Sequence, residues 1–239
     1  MTDNALFTDS CSKIEKAYKQ LNHTLGYRFL LGTQNNLMPE TEILFLGLNP
    51  GGREIRPDHP NRSCENGPAF LVETWGAGTG PGNAPLQIQV QKMFNDLAEA
   101  MPGSRDQRQL MDDSLMAYYI PFRSPSVSVL PRKAESRIFA KSLWSDILQT
   151  CKPKLIITMD KYSFTDISSI IEKSYCLYPS RKYKSEVGWG NISAELLVSG
   201  TEDSQVSVLR FPHLSRFKIF GRPESKPYTD RLISKAINL

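Results

Sequence analysis

Two short polar segments contain the side chains of this chain that are best suited to chemistry. The first is Asn49-Pro50-Gly51-Gly52, which follows the apolar run Ile43–Leu46, and the second contains His213, just after an apolar run that ends at Phe211. An asparagine amide is too weak a base to take a proton, but it can position and polarise a water molecule. A histidine can donate a hydrogen bond to an oxygen on which negative charge develops. Such a pair suits a reaction whose transition state is already dissociative.

Both segments also have an ordinary structural explanation. Asn-Pro and Gly-Gly are common turn formers, so residues 49–52 can simply reverse the chain. A single histidine can equally be a structural residue whose ring nitrogens are satisfied. In the functional interpretation, Gly51 and Gly52 let the backbone approach a ligand closely because they lack a side chain. The surroundings of the two segments have to decide between these interpretations.

Cationic and aromatic residues alternate directly after the histidine. Arg216 and Lys218 are interleaved with Phe217 and Phe220. This pattern is typical of a surface that holds phosphates with its cations while an apolar side chain is wedged between bases. Further cations flank a Ser/Pro-rich loop, and we predict that they contact a phosphate backbone in the same way: Arg123, Arg132 and Lys133.

Helical and strand-like patterns alternate along the chain. Helical spacing occurs over residues 5–22, 90–97, 134–149, 162–173 and 226–237, and strand-like runs occur over 43–48, 115–120, 155–159, 192–198 and 206–211. This alternation predicts an α/β fold with a mostly parallel sheet covered on both faces. Ligands of such sheets bind beyond the carboxyl ends of the strands. We therefore expect one cleft to collect Asn49, Ser124, Asp160 and His213.

Length and composition favour one large domain without a membrane segment. The chain has 239 residues, 40% of them hydrophobic, and its net charge of +4 slightly favours anionic partners. No apolar stretch approaches the length of a membrane span, and the first residues lack the basic-then-apolar order of a signal peptide. We expect a cytoplasmic protein with no membrane partner.

The cysteines do not form a metal-binding pattern. Cys11, Cys64, Cys151 and Cys176 stand far apart, with no Cys-x-x-Cys spacing, and none pairs with a nearby histidine in a metal-ligand pattern. This spacing argues against a zinc site or an iron–sulfur cluster. We expect reduced structural thiols, no metal and no cofactor.

Taken in order, these segments resemble the motifs of the uracil-DNA glycosylase superfamily. Gly47-Leu48-Asn49-Pro50-Gly51 is similar to its first motif, and Pro212–Phe217 is similar to its second, in which a histidine precedes an intercalating residue. The resemblance includes the strand Lys154–Met159 and continues through Phe220-Gly221 into a closing helix. It covers most of residues 43–239.

The resemblance implies a three-layer α/β/α fold with a central, mostly parallel four-stranded sheet and DNA at the carboxyl edge. We expect a single domain over residues 1–239, with an N-terminal helical extension over about 1–40, that acts as a monomer on double- or single-stranded DNA. Family members extrude the target nucleotide into a pocket and break its N-glycosidic bond through an oxocarbenium-like sugar.

The resemblance also assigns roles to individual residues. Asn49 is expected to place the attacking water, and His213 is expected to stabilise the departing base. Base contacts are expected from Gly47, Leu48, Pro50, Gly51, Gly52, Phe70 and Tyr118, with Phe70 stacking on the base. DNA contacts are expected from Arg123, Ser124, Ser126, Ser215, Arg216, Phe217 and Lys218, with Arg216 or Phe217 as the wedge.

Departures from the family pattern indicate a base other than uracil. Gly51 and Gly52 leave open a space that a bulky tyrosine fills in some uracil-cleaving members. Tyr118 stands where those members have an asparagine that reads the uracil edge, and losing such buried polar recognition weakens discrimination. His213 also follows its proline, whereas the family histidine precedes one.

These departures favour a monofunctional glycosylase for a cytosine enlarged at C5, such as the hydroxymethylated or glucosylated cytosine of phage DNA. Some bacterial members of the superfamily act in this way in antiviral defence, and no lysine lies in either motif to form a Schiff base. A uracil-repair glycosylase, an inactive DNA-binding relative and a small-molecule enzyme remain alternatives. The last would use Gly47–Gly52 as a phosphate turn, although this segment lacks the Lys-Ser/Thr of a P-loop.

Overall fold

The chain is built around one mixed β-sheet. The computed structural model describes residues 4–54, 57–76, 79–103, 105–174, 179–200 and 205–237. The strands in these ranges are β1 (Ile43–Gly47), β2 (Leu115–Tyr118), β3 (Leu155–Thr158), β4 (Arg181–Glu186), β5 (Ser193–Gly200) and β6 (Gln205–Arg210). The α-helices there are α1 (Ala5–Gln20), α2 (Ala69–Val72), α3 (Pro85–Ala100), α4 (Gln107–Asp113), α5 (Lys133–Cys151), α6 (Lys161–Ser174) and α7 (Lys226–Ile237).

The sheet is larger than the sequence predicts. Its strand order is β2-β1-β3-β6-β5-β4. The strands β2, β1, β3 and β6 run parallel, β5 pairs antiparallel with β6, and β4 pairs antiparallel with β5. The expectation of a four-stranded sheet is therefore wrong: the sheet has six strands, and four of them form its parallel part. The sequence did not reveal β4 because this strand, Arg-Lys-Tyr-Lys-Ser-Glu, is largely exposed at the sheet edge and has no apolar face to produce a period.

Helices cover both faces of the sheet, as a three-layer α/β/α arrangement requires. Alternate residues of β1 point to opposite sides. Leu44 and Leu46 pack in a cluster with residues of α1, α5 and α6, including Ile14 and Trp144. Ile43 and Phe45 pack in a second cluster with residues of α3, α4 and α7. All of β1 is buried, which explains its continuous apolar sequence.

The N-terminal region is helical only in part. Helix α1 buries Phe7, Cys11, Ile14 and Ala17 and then ends at Gln20. The expected helical extension over about 1–40 is corrected here, because residues 27–31 are extended and lie antiparallel to β2. The backbone N–H of Leu31 donates to Met116 at 2.7 Å, and that of Tyr118 donates to Phe29 at 3.0 Å. This segment covers one edge of the parallel strands.

The five predicted helices are present as α1, α3, α5, α6 and α7. The two short helices α2 and α4 lack the length that makes periodicity visible. Within the described ranges, no helix is both long and apolar enough to span a bilayer.

Candidate active site

A cleft of about 970 Å³ lies at the carboxyl ends of the parallel strands. Its walls include Gly47 at the end of β1, Tyr118 at the end of β2, Met159 just after β3, and His213 a little beyond β6. Parallel neighbours end at the same edge of a sheet, so the loops that follow them meet there. The cleft brings together Asn49, Ser124 and His213, as the sequence predicts.

The side chain of Asn49 is held by acceptors on its nitrogen. Its Nδ2 donates to the Pro50 carbonyl oxygen at 3.1 Å and to Ser124 Oγ at 3.0 Å. Because a carbonyl can only accept, these contacts fix which end of the amide is nitrogen. The atom that Asn49 can offer to a water is therefore its oxygen, Oδ1.

The glycine turn after Asn49 has open space beside it and is held by a hydrogen bond from Arg123. Gly52 has φ +106°, a conformation that strongly favours glycine, and a Cβ added at Gly51 would meet no described atom within 4 Å. Arg123 is 7% exposed, and its Nη1 donates to the Gly51 carbonyl oxygen. Arg123 thus holds the turn in place, and its expected DNA contact stays a prediction. Ser124 is fully buried and takes part in holding Asn49, so its expected DNA contact is corrected.

His213 offers one ring nitrogen to chemistry. Its Nδ1 lies 2.9 Å from Ser215 Oγ, and if the hydroxyl donates in this bond, Nε2 carries the proton. Although the residue as a whole is exposed, the cleft walls remove enough water from the ring to lower its pKa, which Asp160 partly opposes. The imidazole is thus neutral at pH 7 and able to donate a hydrogen bond.

Asp160 does not line the cleft, although it was expected to converge there. Its Oδ1 accepts from the backbone N–H of Ser163 at 2.9 Å, at the start of α6. Burial raises the pKa of this carboxyl, while hydrogen bonds from Ser163 and the charge of His213 oppose the rise. Asp160 therefore holds the start of α6 and is not itself a cleft residue.

Tyr118 closes one wall of the cleft. A Cβ added at Gly47 would lie 3.0 Å from two atoms of the Tyr118 ring, so glycine at 47 leaves the room that the ring occupies. Burial raises the pKa of Tyr118, and the phenol is neutral at neutral pH. Leu48 and Pro50 also line the cleft, and their expected contacts with the base stay predictions.

The aromatic wall is formed by a different residue from the one expected. Phe70 is 1% exposed and packs in the core against Phe45, outside the cleft lining. The expected stacking role of Phe70 is therefore corrected. Its ring lies edge-on to Trp75 at a centroid distance of 4.9 Å, and Trp75 lines the cleft.

The segment after His213 is split between the cleft and the core. Ser215 and Arg216 are exposed and line the cleft, as does Ser126 from the opposite loop. Phe217 is half-buried against the core, with the Arg216 guanidinium 5.5 Å from its ring centre, and the wedge role expected of Arg216 or Phe217 stays a prediction. Lys218 is exposed outside the cleft lining, and its DNA contact stays a prediction.

Sequence reasoning missed a charged group at the cleft wall. Arg28 and Glu73 form a buried bidentate ion pair, and Arg28 lines the cleft together with His59 and Trp75. Arg28 and Glu73 are 45 residues apart in the chain and share no motif. No local pattern could have connected them.

Metal ligands are not clustered in the part of the chain that the structure describes: no group of three His, Cys, Asp or Glu residues there could hold a metal ion. Cys11, Cys64 and Cys151 are buried free thiols, and Cys176 lies outside the described residues. Burial raises the pKa of Cys11 and of Cys64 to about 11 and that of Cys151 to about 12, so none of the three is a reactive thiolate at neutral pH.

Comparison of the chain with models of known protein families gave no match, and comparison with curated protein sequences gave none either. The functional assignment therefore depends on the chemistry of the cleft.

Proposed function

We propose that this protein is a monofunctional DNA glycosylase that acts on a cytosine enlarged at C5, such as glucosylated or hydroxymethylated cytosine of phage DNA. The observation that carries the proposal is that Asn49 and His213 line one cleft. Asn49 follows β1 and His213 follows β6, and β3 lies between these two strands in the sheet. A water-positioning amide and a neutral hydrogen-bond donor are the two groups that hydrolysis of an N-glycosidic bond needs.

The chemistry follows from the two side chains. Asn49 Oδ1 accepts a hydrogen bond from a water and orients its oxygen towards C1′ of the extruded nucleotide. The bond between C1′ and the base nitrogen breaks with its electron pair going to the base, and the sugar becomes oxocarbenium-like. His213 donates to the oxygen on which the base anion develops. The water adds to C1′ and loses its proton to solvent, which leaves an abasic site.

The size of the cleft supports an enlarged base. A volume of about 970 Å³ lies at the upper end of ordinary ligand pockets. The open space at Gly51 borders the same cleft and provides room that a tyrosine at this position would remove. A pocket for uracil alone needs neither this volume nor the open space at Gly51.

Surface groups around the cleft support contact with a nucleic acid. Arg216 and Ser126 carry donors suited to phosphate oxygens, and they border the opening from two different loops. In this proposal a three-layer monomer binds double- or single-stranded DNA at the carboxyl edge of its sheet and works in the cytoplasm in antiviral defence.

An alkali-cleavage assay on matched oligonucleotides tests the proposal. Duplexes and single strands contain one uracil, cytosine, 5-hydroxymethylcytosine or glucosyl-5-hydroxymethylcytosine at the same position. We expect alkali-labile sites at the modified cytosines and far fewer at cytosine. Cleavage of uracil alone indicates a repair glycosylase instead, and salt-dependent DNA binding without any labile site indicates an inactive relative.

A further inference from the structure

A buried charged cluster borders the cleft and has no role in the mechanism above. Arg28 is 2% exposed and Glu73 is 8% exposed. Arg28 Nη1 donates to Glu73 Oε2 at 2.7 Å, and Nη2 donates to Oε1. The indole nitrogen of Trp75 donates to Glu73 Oε2 at 2.8 Å, and Cys64 Sγ lies 3.6 Å from Oε1.

The stability of the fold does not explain this pair. Removing two charges from water costs about as much as the pair regains, and apolar side chains of the same volume often serve a core as well or better. In addition, Arg28 Nε is buried and finds no hydrogen-bond acceptor among the described residues. An unsatisfied buried donor is unfavourable, and this one belongs to a residue that lines the cleft. A group from a ligand is the natural acceptor.

Glu73 orients the other members of the cluster. Burial alone would raise the pKa of Glu73, but hydrogen bonds from Arg28 and Trp75 and the Arg28 charge outweigh this effect and hold the pKa below its usual range. The carboxylate therefore stays ionised at neutral pH. It fixes the guanidinium through two bonds and the indole ring through a third, so both are positioned before a ligand arrives.

We propose that Arg28, held by Glu73, is a specificity-determining residue that donates from Nε to a hydroxyl oxygen of a sugar attached at C5 of the extruded base. A guanidinium carries donors only, so it selects oxygen acceptors and offers nothing to the amino group of unmodified cytosine. Trp75, at the same wall, supplies an apolar ring face against which the carbon skeleton of a hexose packs. This inference rests on the proposed function and narrows its substrate to the glucosylated base.

Equilibrium binding to DNA that cannot be cleaved tests the inference independently of catalysis. The duplexes carry cytosine, 5-hydroxymethylcytosine or glucosyl-5-hydroxymethylcytosine, each with a 2′-fluoro sugar that blocks bond breakage. We expect the wild type to bind the glucosylated duplex about tenfold to a hundredfold more tightly than the cytosine duplex, the value of a hydrogen bond to a charged group plus ring packing.

The test variant is Arg28→Met combined with Glu73→Gln, which removes both charges together and leaves an acceptor for Trp75. It should bind the cytosine duplex as the wild type does and lose the preference for the glucosylated one. Trp75→Leu provides a separate measurement, which decides the question alone if the double variant does not fold. It should reduce binding of the glucosylated duplex by a larger factor than binding of the hydroxymethylated and cytosine duplexes.

The inference is overturned if the wild type binds the three duplexes equally, or if the variants weaken binding to all of them by the same factor, as a purely structural role would. Failure of the proposed function gives a different result. A preference for the glucosylated duplex without alkali-labile sites in cleavable DNA rejects the glycosylase and keeps the sugar recognition, whereas cleavage without any preference rejects only the recognition.

Discussion

Nδ2 of Asn49 lies 3.0 Å from Oγ of Ser124, and this hydrogen bond joins the loops that follow two neighbouring strands, β1 and β2. A second bond reinforces the connection, because the backbone N–H of Ser124 donates to the Pro50 carbonyl at 3.1 Å. The orientation of the Asn49 amide is thus set by residues of another loop. Ser124 is a positioning residue for the group that places the water.

Replacing either member of this pair should slow base release. Asn49→Ala removes the water-holding oxygen and should lower the single-turnover rate by about 10²–10³-fold, the range for losing one oriented polar group at a reaction centre. Ser124→Ala leaves the oxygen but frees the amide, so a decrease of about tenfold is expected. Ser142→Ala, on the exposed side of α5, is the matched control. Equal rates for Ser124→Ala and the control would show that the amide needs no such support.

Filling the open space at Gly51 should change which base is accepted. Gly51→Tyr places a ring in the cleft and should abolish activity on the glucosylated base, since a large substituent no longer fits. Gly51→Ala adds one methyl group in open space and should retain most of the activity. Relative kcat/KM values for glucosylated and hydroxymethylated substrates measure the effect. Unchanged selectivity in Gly51→Tyr would place the substituent elsewhere.

Arg216 and Lys218 allow a matched test of the DNA contact. Both are exposed cations, two residues apart, but only Arg216 lines the cleft. Arg216→Ala should weaken DNA binding and reduce the slope of log K against log salt by about one unit, as expected for one lost phosphate contact. Lys218→Ala should have the smaller effect. Binding isotherms of both variants at several salt concentrations measure these effects. A larger loss of affinity in Lys218→Ala than in Arg216→Ala would place the nucleic acid outside the cleft.

His23 should make the folded state sensitive to mild acid. The ring is buried, stacks on Phe122 at a centroid distance of 4.2 Å and lies 3.0 Å from Ser136 Oγ. Burial lowers its pKa, so below about pH 6.5 the unfolded chain takes up a proton that the folded chain resists. Stability is therefore complete above that pH and is lost as the pH falls through the lowered pKa.

The measurement is the denaturant midpoint between pH 7.5 and 5.5 for the wild type and for His23→Phe, which keeps an aromatic ring beside Phe122. The wild-type midpoint should fall more steeply with decreasing pH than that of the variant. Parallel curves for the two proteins would assign the pH dependence to other groups.

The parallel part of the fold and the two loops of the site were predictable because their signals are local. Buried strands such as Ile43–Gly47 are continuously apolar, and a turn such as Asn49–Gly52 has a distinctive composition. Strand β4 was missed because an exposed edge strand is defined by its partner β5 and not by its own pattern. Phe70 was misplaced because sequence cannot tell a core aromatic from a cleft aromatic such as Trp75, which lies five residues further along the chain.

The Arg28–Glu73 pair illustrates the same limit for charges. A sequence shows two charged residues that would each be expected at the surface. In the folded chain, Arg28 lies in the extended segment beside β2 and Glu73 lies at the end of α2, and the two side chains meet at the cleft wall. Buried charge pairs depend on tertiary neighbours, so no local pattern reveals them.

The central claim is that Asn49 and His213 act together in one cleft to release a base from DNA. The most direct test quantifies the free base by mass spectrometry and the alkali-labile sites in the same reaction on glucosylated duplex. For the wild type we predict equal amounts of both products, and for Asn49→Ala and His213→Ala we predict rates about 10²–10³-fold lower with the fold intact. Absence of free base with the wild type, or its release at the wild-type rate by both variants, would contradict the account.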